Sequence, residues 1–172
     1  MKKISALTCG LMSLIATSVM AAPDVTINFN GSILASTCSA SIAAGTVASV
    51  SLGQFGVNQF SGSVGDETIA VPFSIDLNGC PASGITGVTA TFVGNADANG
   101  DLNVTGGATG VSIRIKDVAH NANVVLGTAT GSTTLLGLST LSLPFTANYI
   151  TTSAVPVAGP ANGTVGVNLT YM

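Results

Sequence analysis

The chain ends Thr164-Val165-Gly166-Val167-Asn168-Leu169-Thr170-Tyr171-Met172, and the strict alternation of this stretch governs how the rest is read. Val165, Val167, Leu169 and Tyr171 fall on one face, with Gly166, Asn168 and Thr170 on the other. A period of two is that of a β-strand with one dry face and one wet face. The same pattern recurs near the start, where Val25, Ile27, Phe29, Gly31 and Ile33 share a face opposite Thr26, Asn28, Asn30 and Ser32. It recurs again over 67–77, which sets Ile69, Val71, Phe73, Ile75 and Leu77 inward. Pro72 inside that run points to an edge position or a bulge, because proline cannot donate to a ladder. Further strands are expected around Cys38 and Ile42, at Val47–Leu52, and over 87–93, 111–116, 123–126, 133–136 and 140–149. Residues 53–66, rich in Gly, Ser and Asn, read as loop. No segment sustains a helical period with caps. The expectation is an all-β fold, and for one domain of this size a two-sheet sandwich.

Composition agrees. The 172 residues are 47% hydrophobic and 6% charged, with a mean hydropathy of +0.62. Disordered chains have the opposite balance. A single stretch is continuously apolar: Lys2 and Lys3 lead into Ile4–Val19, which ends at Met20-Ala21-Ala22-Pro23. Two lysines, a short apolar run and small residues at its exit describe a secretory signal peptide, residues 1–21, cut after Ala21. The run is short for a membrane span and is broken by Ser and Thr. After cleavage only Arg114 and Lys116 remain as bases against seven acids, a formal charge of −5. Two bases cannot track a phosphate backbone or an anionic membrane surface, so nucleic acid is not expected as a partner.

Little here resembles a catalytic centre. The mature chain keeps two cysteines, Cys38 and Cys80. An isolated pair in an exported protein is most simply one disulfide; the alternative, a metal or thiol site, lacks CxxC spacing. His120 is the sole histidine and sits between strand candidates, where a turn is expected. Asp66 and Glu67 are adjacent and would point to opposite faces of a strand. Asp97-Ala98-Asn99-Gly100-Asp101 opens like a calcium loop but has Leu102 and Ala108 where the loop needs glycine and glutamate, so a polar turn is expected. The Gly-rich segments 105–110 and 127–132 have neither a following lysine nor a helix to make a phosphate cradle. The reading is of a protein without catalytic residues, metal or cofactor.

Periodicity alone does not say whether the two terminal strands pair within the chain or with a neighbour. Here a resemblance adds to the reading. Asp24-Val25-Thr26-Ile27-Asn28-Phe29-Asn30-Gly31-Ser32-Ile33-Leu34, running on to Cys38, resembles the N-terminal extension of chaperone–usher pilins of the type 1 fimbrial family. Cys38 and Cys80 match that family's single disulfide, and Asn78-Gly79-Cys80-Pro81 resembles the sequence around its second half. The penultimate Tyr171, with Gly159 fourteenth from the end, is similar to the family's terminal signature.

The resemblance implies an incomplete immunoglobulin-like sandwich, residues 36–172, that lacks its last strand. It implies that residues 22–35 are a donor strand, with Val25, Ile27, Phe29, Gly31 and Ile33 filling five pockets of a neighbouring subunit. Gly159, Val165, Val167, Leu169 and Tyr171 would then mark this subunit's own acceptor groove and chaperone-binding strand. The implied partners are neighbouring pilins, a periplasmic chaperone and an outer-membrane usher, and the implied location is a cell-surface fimbrium. Gly31 stands where a large side chain is expected, which leaves two readings: a bend at Asn30-Gly31, or a shallow pocket in the neighbour. From another class, the alternative function is a monomeric secreted carbohydrate-binding β-sandwich, although the chain has no Trp and only 5% aromatic residues.

Overall fold

The computed structural model describes residues 37–42 and 49–172. The signal segment 1–21, the donor-strand residues Val25, Ile27, Phe29, Gly31 and Ile33, and Val47 and Ala48 of the strand expected at Val47–Leu52 lie outside the described residues. Nine strands follow in chain order among the described residues: β1 (Ser39–Ser41), β2 (Val71–Asn78), β3 (Gly87–Val93), β4 (Leu102–Asn103), β5 (Val111–Asp117), β6 (Ala122–Asn123), β7 (Thr133–Thr134), β8 (Thr140–Thr151) and β9 (Gly166–Tyr171). They form two antiparallel sheets. The larger has the order β1-β2-β8-β5-β4, with β6 added to β5, and the smaller has the order β7-β3-β9.

The core lies between them. Ile75 and Leu77 of β2, Ile115 of β5, and Leu143 and Phe145 of β8 project from the large sheet. Val88, Ala90 and Phe92 of β3 meet them from the small one. Phe145 joins the layers: its ring meets Phe92 edge-on at 4.9 Å and stacks on Phe73 at 5.6 Å. Both arrangements suit the quadrupoles of aromatic rings.

Antiparallel pairing fixes two poles. At one, Asn78 faces Thr140, the main chain of Thr86 and Gly87 bonds Met172, and the Cys80 amide donates to the Ser139 carbonyl. Cys38 is disulfide-bonded to Cys80 at this end, with Cα atoms 4.2 Å apart. At the other pole, Val111 faces Thr151 and Val93 faces Gly166.

Several strands depart from expectation. Ile69 does not point inward; it is 80% exposed. Glu67 bridges Ile150, whereas Val71 pairs with Ala147. Four steps on one strand therefore oppose three on the other, which makes a bulge. A one-residue offset turns every side chain beyond it to the opposite face, and Ile69 lies in that offset. The bulge sits just before Pro72, as the proline suggested. Residues 49–52 are irregular rather than a strand, although Leu52 packs on the cluster of Leu102, Ile113 and Ala147. The strands expected at 123–126 and 133–136 shrink to two residues each, while Val124 and Leu135 beyond them are buried. β4 was not expected, and the 53–66 loop carries one short 3-10 turn, Val57–Gln59.

The disulfide closes a loop of sequence separation 42, and the chain-entropy model assigns such a loop ~4 kcal/mol. The double substitution Cys38→Ser/Cys80→Ser should cost the mature subunit up to that much stability, read as a lower urea midpoint. An unchanged midpoint would show that the bond contributes nothing to this fold.

Candidate functional site

The site is the β9 edge of the small sheet, which has no strand beyond it among the described residues. β9 pairs with β3 in a continuous register: Val88 with Tyr171, Ala90 with Leu169, and Phe92 with Val167. On the β3 side of each pair the residue is almost fully buried. Val165, Val167, Leu169 and Tyr171 face the same core and pack against it, yet each stays partly exposed, while Gly166, Asn168 and Thr170 between them are exposed. The difference is one of neighbours. Among the described residues β3 has a strand on both sides, and β9 has β3 alone. Partial burial also raises the Tyr171 hydroxyl's pKa above its ordinary value, because the phenolate would lose water.

Gly159 lies elsewhere. It belongs to the loop between β8 and β9 at the far pole, where Thr109 bridges Val157 and Thr105 bridges Asn162. A Cβ at Gly159 would stand 2.6 Å from the Ala108 nitrogen and 2.6 Å from the Gly107 carbonyl carbon, so only glycine admits this approach of two backbones. Its part is to seat the segment that leads into β9. Tyr149 secures the same loop, its hydroxyl donating to the Ala161 carbonyl at 2.7 Å.

Between this loop and residues 51–60 lies a cleft of about 640 Å³, walled by Phe55, Val57, Phe60, Tyr149, Pro156, Val157 and Pro160 and by no charged residue. Sequence reasoning did not identify it. The one available signal was Phe55 and Phe60 standing in an otherwise polar loop.

The titratable residues singled out from the sequence are engaged in holding loops. Asp66 accepts bonds from the Ser61 amide and hydroxyl, both at 2.6 Å. The Ser61 hydroxyl foremost holds its carboxyl below the usual range. Glu67 and Asp101 grip Arg114, whose guanidinium meets both Asp101 oxygens, at 3.1 and 2.8 Å, and one Glu67 oxygen at 2.7 Å. Asp101 is 3% exposed, so its burial is offset by this two-pronged pairing. Asp97 accepts from the Asn99 and Asp101 amides and from the Ser112 hydroxyl, the polar turn expected. Among the described residues no three His, Cys, Asp or Glu side chains gather to hold a metal.

His120 occupies the β5–β6 turn, but its ring is tied down. Nδ1 lies 2.7 Å from an Asp117 carboxylate oxygen and Nε2 lies 3.2 Å from the Ser132 carbonyl. Both neighbours are acceptors, so only the imidazolium, with two N–H donors, satisfies both.

A sandwich whose last strand closes a sheet with half-dry side chains has the build that strand addition requires. Comparison with known proteins fits. A sequence model of the family described as "Fimbrial protein" matches residues 27–172. Long polar fimbria protein A of Salmonella typhimurium is 35% identical, covering 99% of this chain and 97% of that one. The type-1 fimbrial protein, A chain, of Escherichia coli K12 is 30% identical, with 96% and 97% covered. The P pilus rod subunit PapA has the same fold, with a TM-score of 0.66 at 22% identity over 80% of this chain and 100% of that one. The chain belongs to the fimbrial protein family and is a structural pilus subunit. The family relationship favours this over the monomeric carbohydrate-binding sandwich.

Two outcomes follow from the site's surroundings. Gly159→Ala should destabilise the subunit by an amount typical of an overpacked core, about 1–3 kcal/mol, read as a lower unfolding midpoint; a neutral result would mean that the loop yields freely. For His120, the Asp117 hydrogen bond foremost raises its pKa above 6.5, helped by that carboxylate's charge and the Ser132 carbonyl and opposed by burial. A raised folded pKa gives stability that is complete below the unfolded value and is lost as pH rises through the folded one. The urea midpoint should therefore fall as pH rises through and above the ordinary histidine range, and His120→Gln should flatten that slope. An identical slope in the variant would place the pH dependence elsewhere.

Proposed function

We propose that this subunit polymerises by donor-strand exchange, with residues 22–35 as the strand lent to the next subunit. The observation that carries the reading is the β9 edge, where Val165, Val167, Leu169 and Tyr171 are packed on the core but left partly exposed. An added strand would satisfy the free main-chain groups and dry these side chains together. Val25, Ile27, Phe29 and Ile33 alternate as such a strand must. Burying one Val, two Ile and one Phe gives on the order of 6–12 kcal/mol before ordering costs.

On this reading residues 1–21 direct export to the periplasm and residues 36–172 form the acceptor sandwich. A periplasmic chaperone fills the groove until an outer-membrane usher exchanges it for the next subunit's extension, and the product is a cell-surface fimbrium. The subunit's work is mechanical, without catalysis, cofactor or metal.

Gly31 supplies the test. A shallow pocket opposite it would admit no side chain, so Gly31→Leu should stop the strand from seating while leaving the sandwich and its chaperone binding unchanged. Wild-type pili in SDS without heating should run as a ladder, and Gly31→Leu material should run as monomer with chaperone still co-purifying. Normal ladders from the variant would refute the shallow pocket. A wild-type sample that runs as a single unheated band would refute donor-strand exchange altogether.

A further inference from the structure

We infer a second contact between successive subunits: the Leu136–Leu138 turn of one docks in the uncharged cleft at the far pole of the next. The inference rests on the donor-strand reading and adds to it a surface that strand pairing does not use.

Direction comes first. β9 runs from the far pole, at Gly166, to the disulfide pole, at Tyr171. The extension leaves its own sandwich at Cys38, also at the disulfide pole. A donor strand parallel to β9 would end at the acceptor's disulfide pole and set like pole against like. Every subunit would then bring its disulfide pole against those of both neighbours, whereas apposing unlike poles gives the head-to-tail arrangement that propagates. A pilus subunit must propagate, so the donor runs antiparallel to β9 and its Ile33 end reaches the acceptor's far pole.

Distance comes next. Five residue steps separate Ile33 from Cys38, a reach of at most roughly 17 Å when fully extended. The donor's disulfide pole is therefore held close to the acceptor's far pole, whatever the detailed path of those residues.

The turn is apolar, and the cleft is uncharged, with apolar walls beside the polar Ser51, Gln54 and Asn162. Beside the exit point, Ser139 accepts the Cys80 amide bond, and the turn just before it exposes Leu136 at 62% and Leu138 at 43%. Gly137 between them has φ +73°, a left-handed conformation that presents the two leucines on a tight turn. On the acceptor, the cleft walls offer Phe55, Val57, Pro156 and Val157, with Val157 55% exposed. Neither surface has a charged residue. Exposed leucines on one pole and an uncharged cleft on the other are mutually complementary when the poles are apposed.

Disulfide trapping in intact pili tests the contact. Leu136→Cys/Val157→Cys adds the only free thiols to a mature chain whose own two cysteines are bonded. The two positions lie at opposite ends of the 12-residue β8, about 40 Å long at ~3.3 Å per residue, too far apart to bond within one subunit. Mild oxidation should give a ladder that survives boiling without reductant and collapses with it. Either single variant should give none beyond dimers, and Leu136→Cys paired with Thr128→Cys, outside the cleft, should give none. In parallel, Leu136→Asp/Leu138→Asp should leave the free subunit's unfolding midpoint unchanged but lower the temperature at which the unheated ladder dissociates. Wild-type ladders with no covalent product from Leu136→Cys/Val157→Cys, or equal product from the Thr128 pair, would overturn the contact and leave donor-strand exchange standing. Absence of the unheated ladder in wild type would overturn both.

Discussion

A strand with a partner on one side only leaves alternate N–H and C=O groups facing away from the ladder, and β9 is in that position among the described residues. Those groups must be met by water or by another chain. Along β9 the demand is double, because Val165, Val167, Leu169 and Tyr171 pack on the same core as the buried Val88, Ala90 and Phe92. Water satisfies the edge but wets the side chains. An apolar small molecule would dry the side chains but leave the edge bare. Another strand with side chains alternating in step meets both demands at once. This constraint is what supports the proposal of a strand as the partner.

The rest of the sandwich holds that edge stiff. The aromatic group of Phe73, Phe92 and Phe145 ties the small sheet to the large one directly behind β9. The disulfide anchors the first described residues to the end of β2. At the far pole, Gly159 lets two backbones close on each other so that the chain enters β9 along a fixed path. With charges scarce, the ionic contacts are few and local: Arg114 is shared by Asp101 and Glu67, and His120 joins Asp117 to the loop at Ser132. Each ties one segment of the sandwich to another.

Much of the fold was legible in the sequence, and the failures share a cause. β3, β5, β8 and β9 were found within a residue or two, because each is long enough for its period of two to stand out. Ile69 was misplaced because alternation reports faces only while the register is unbroken, and the bulge before Val71 breaks it. β4 and the shortened β6 and β7 are two-residue pairings that carry no periodicity. Val165, Val167, Leu169 and Tyr171 emerged as one row, since strand geometry places them there. Gly159 was associated with the groove through the terminal signature of the family the chain resembles, and it lies in the loop that leads into β9. The cleft at Phe55 and Val157 left only a faint trace in the sequence because it joins segments a hundred residues apart through irregular backbone.

Strand addition and contact between poles differ in strength and in order. Two leucines against one cleft bury far less than the ~1,200 Å² at which specific interfaces begin, so free subunits would not associate through it. Once a donor strand is seated, however, the short run from Ile33 to Cys38 keeps the two surfaces within reach. A short tether of this kind corresponds to an effective concentration in the mM range, enough to populate a contact that is negligible in dilute solution. On this proposal the contact would form only after insertion and would not compete with it. Because it is weak and lacks charge or hydrogen-bond register, it can also part under load and close again while the strand stays in place. A fibre built this way draws its continuity from main-chain pairing and its bending compliance from the poles.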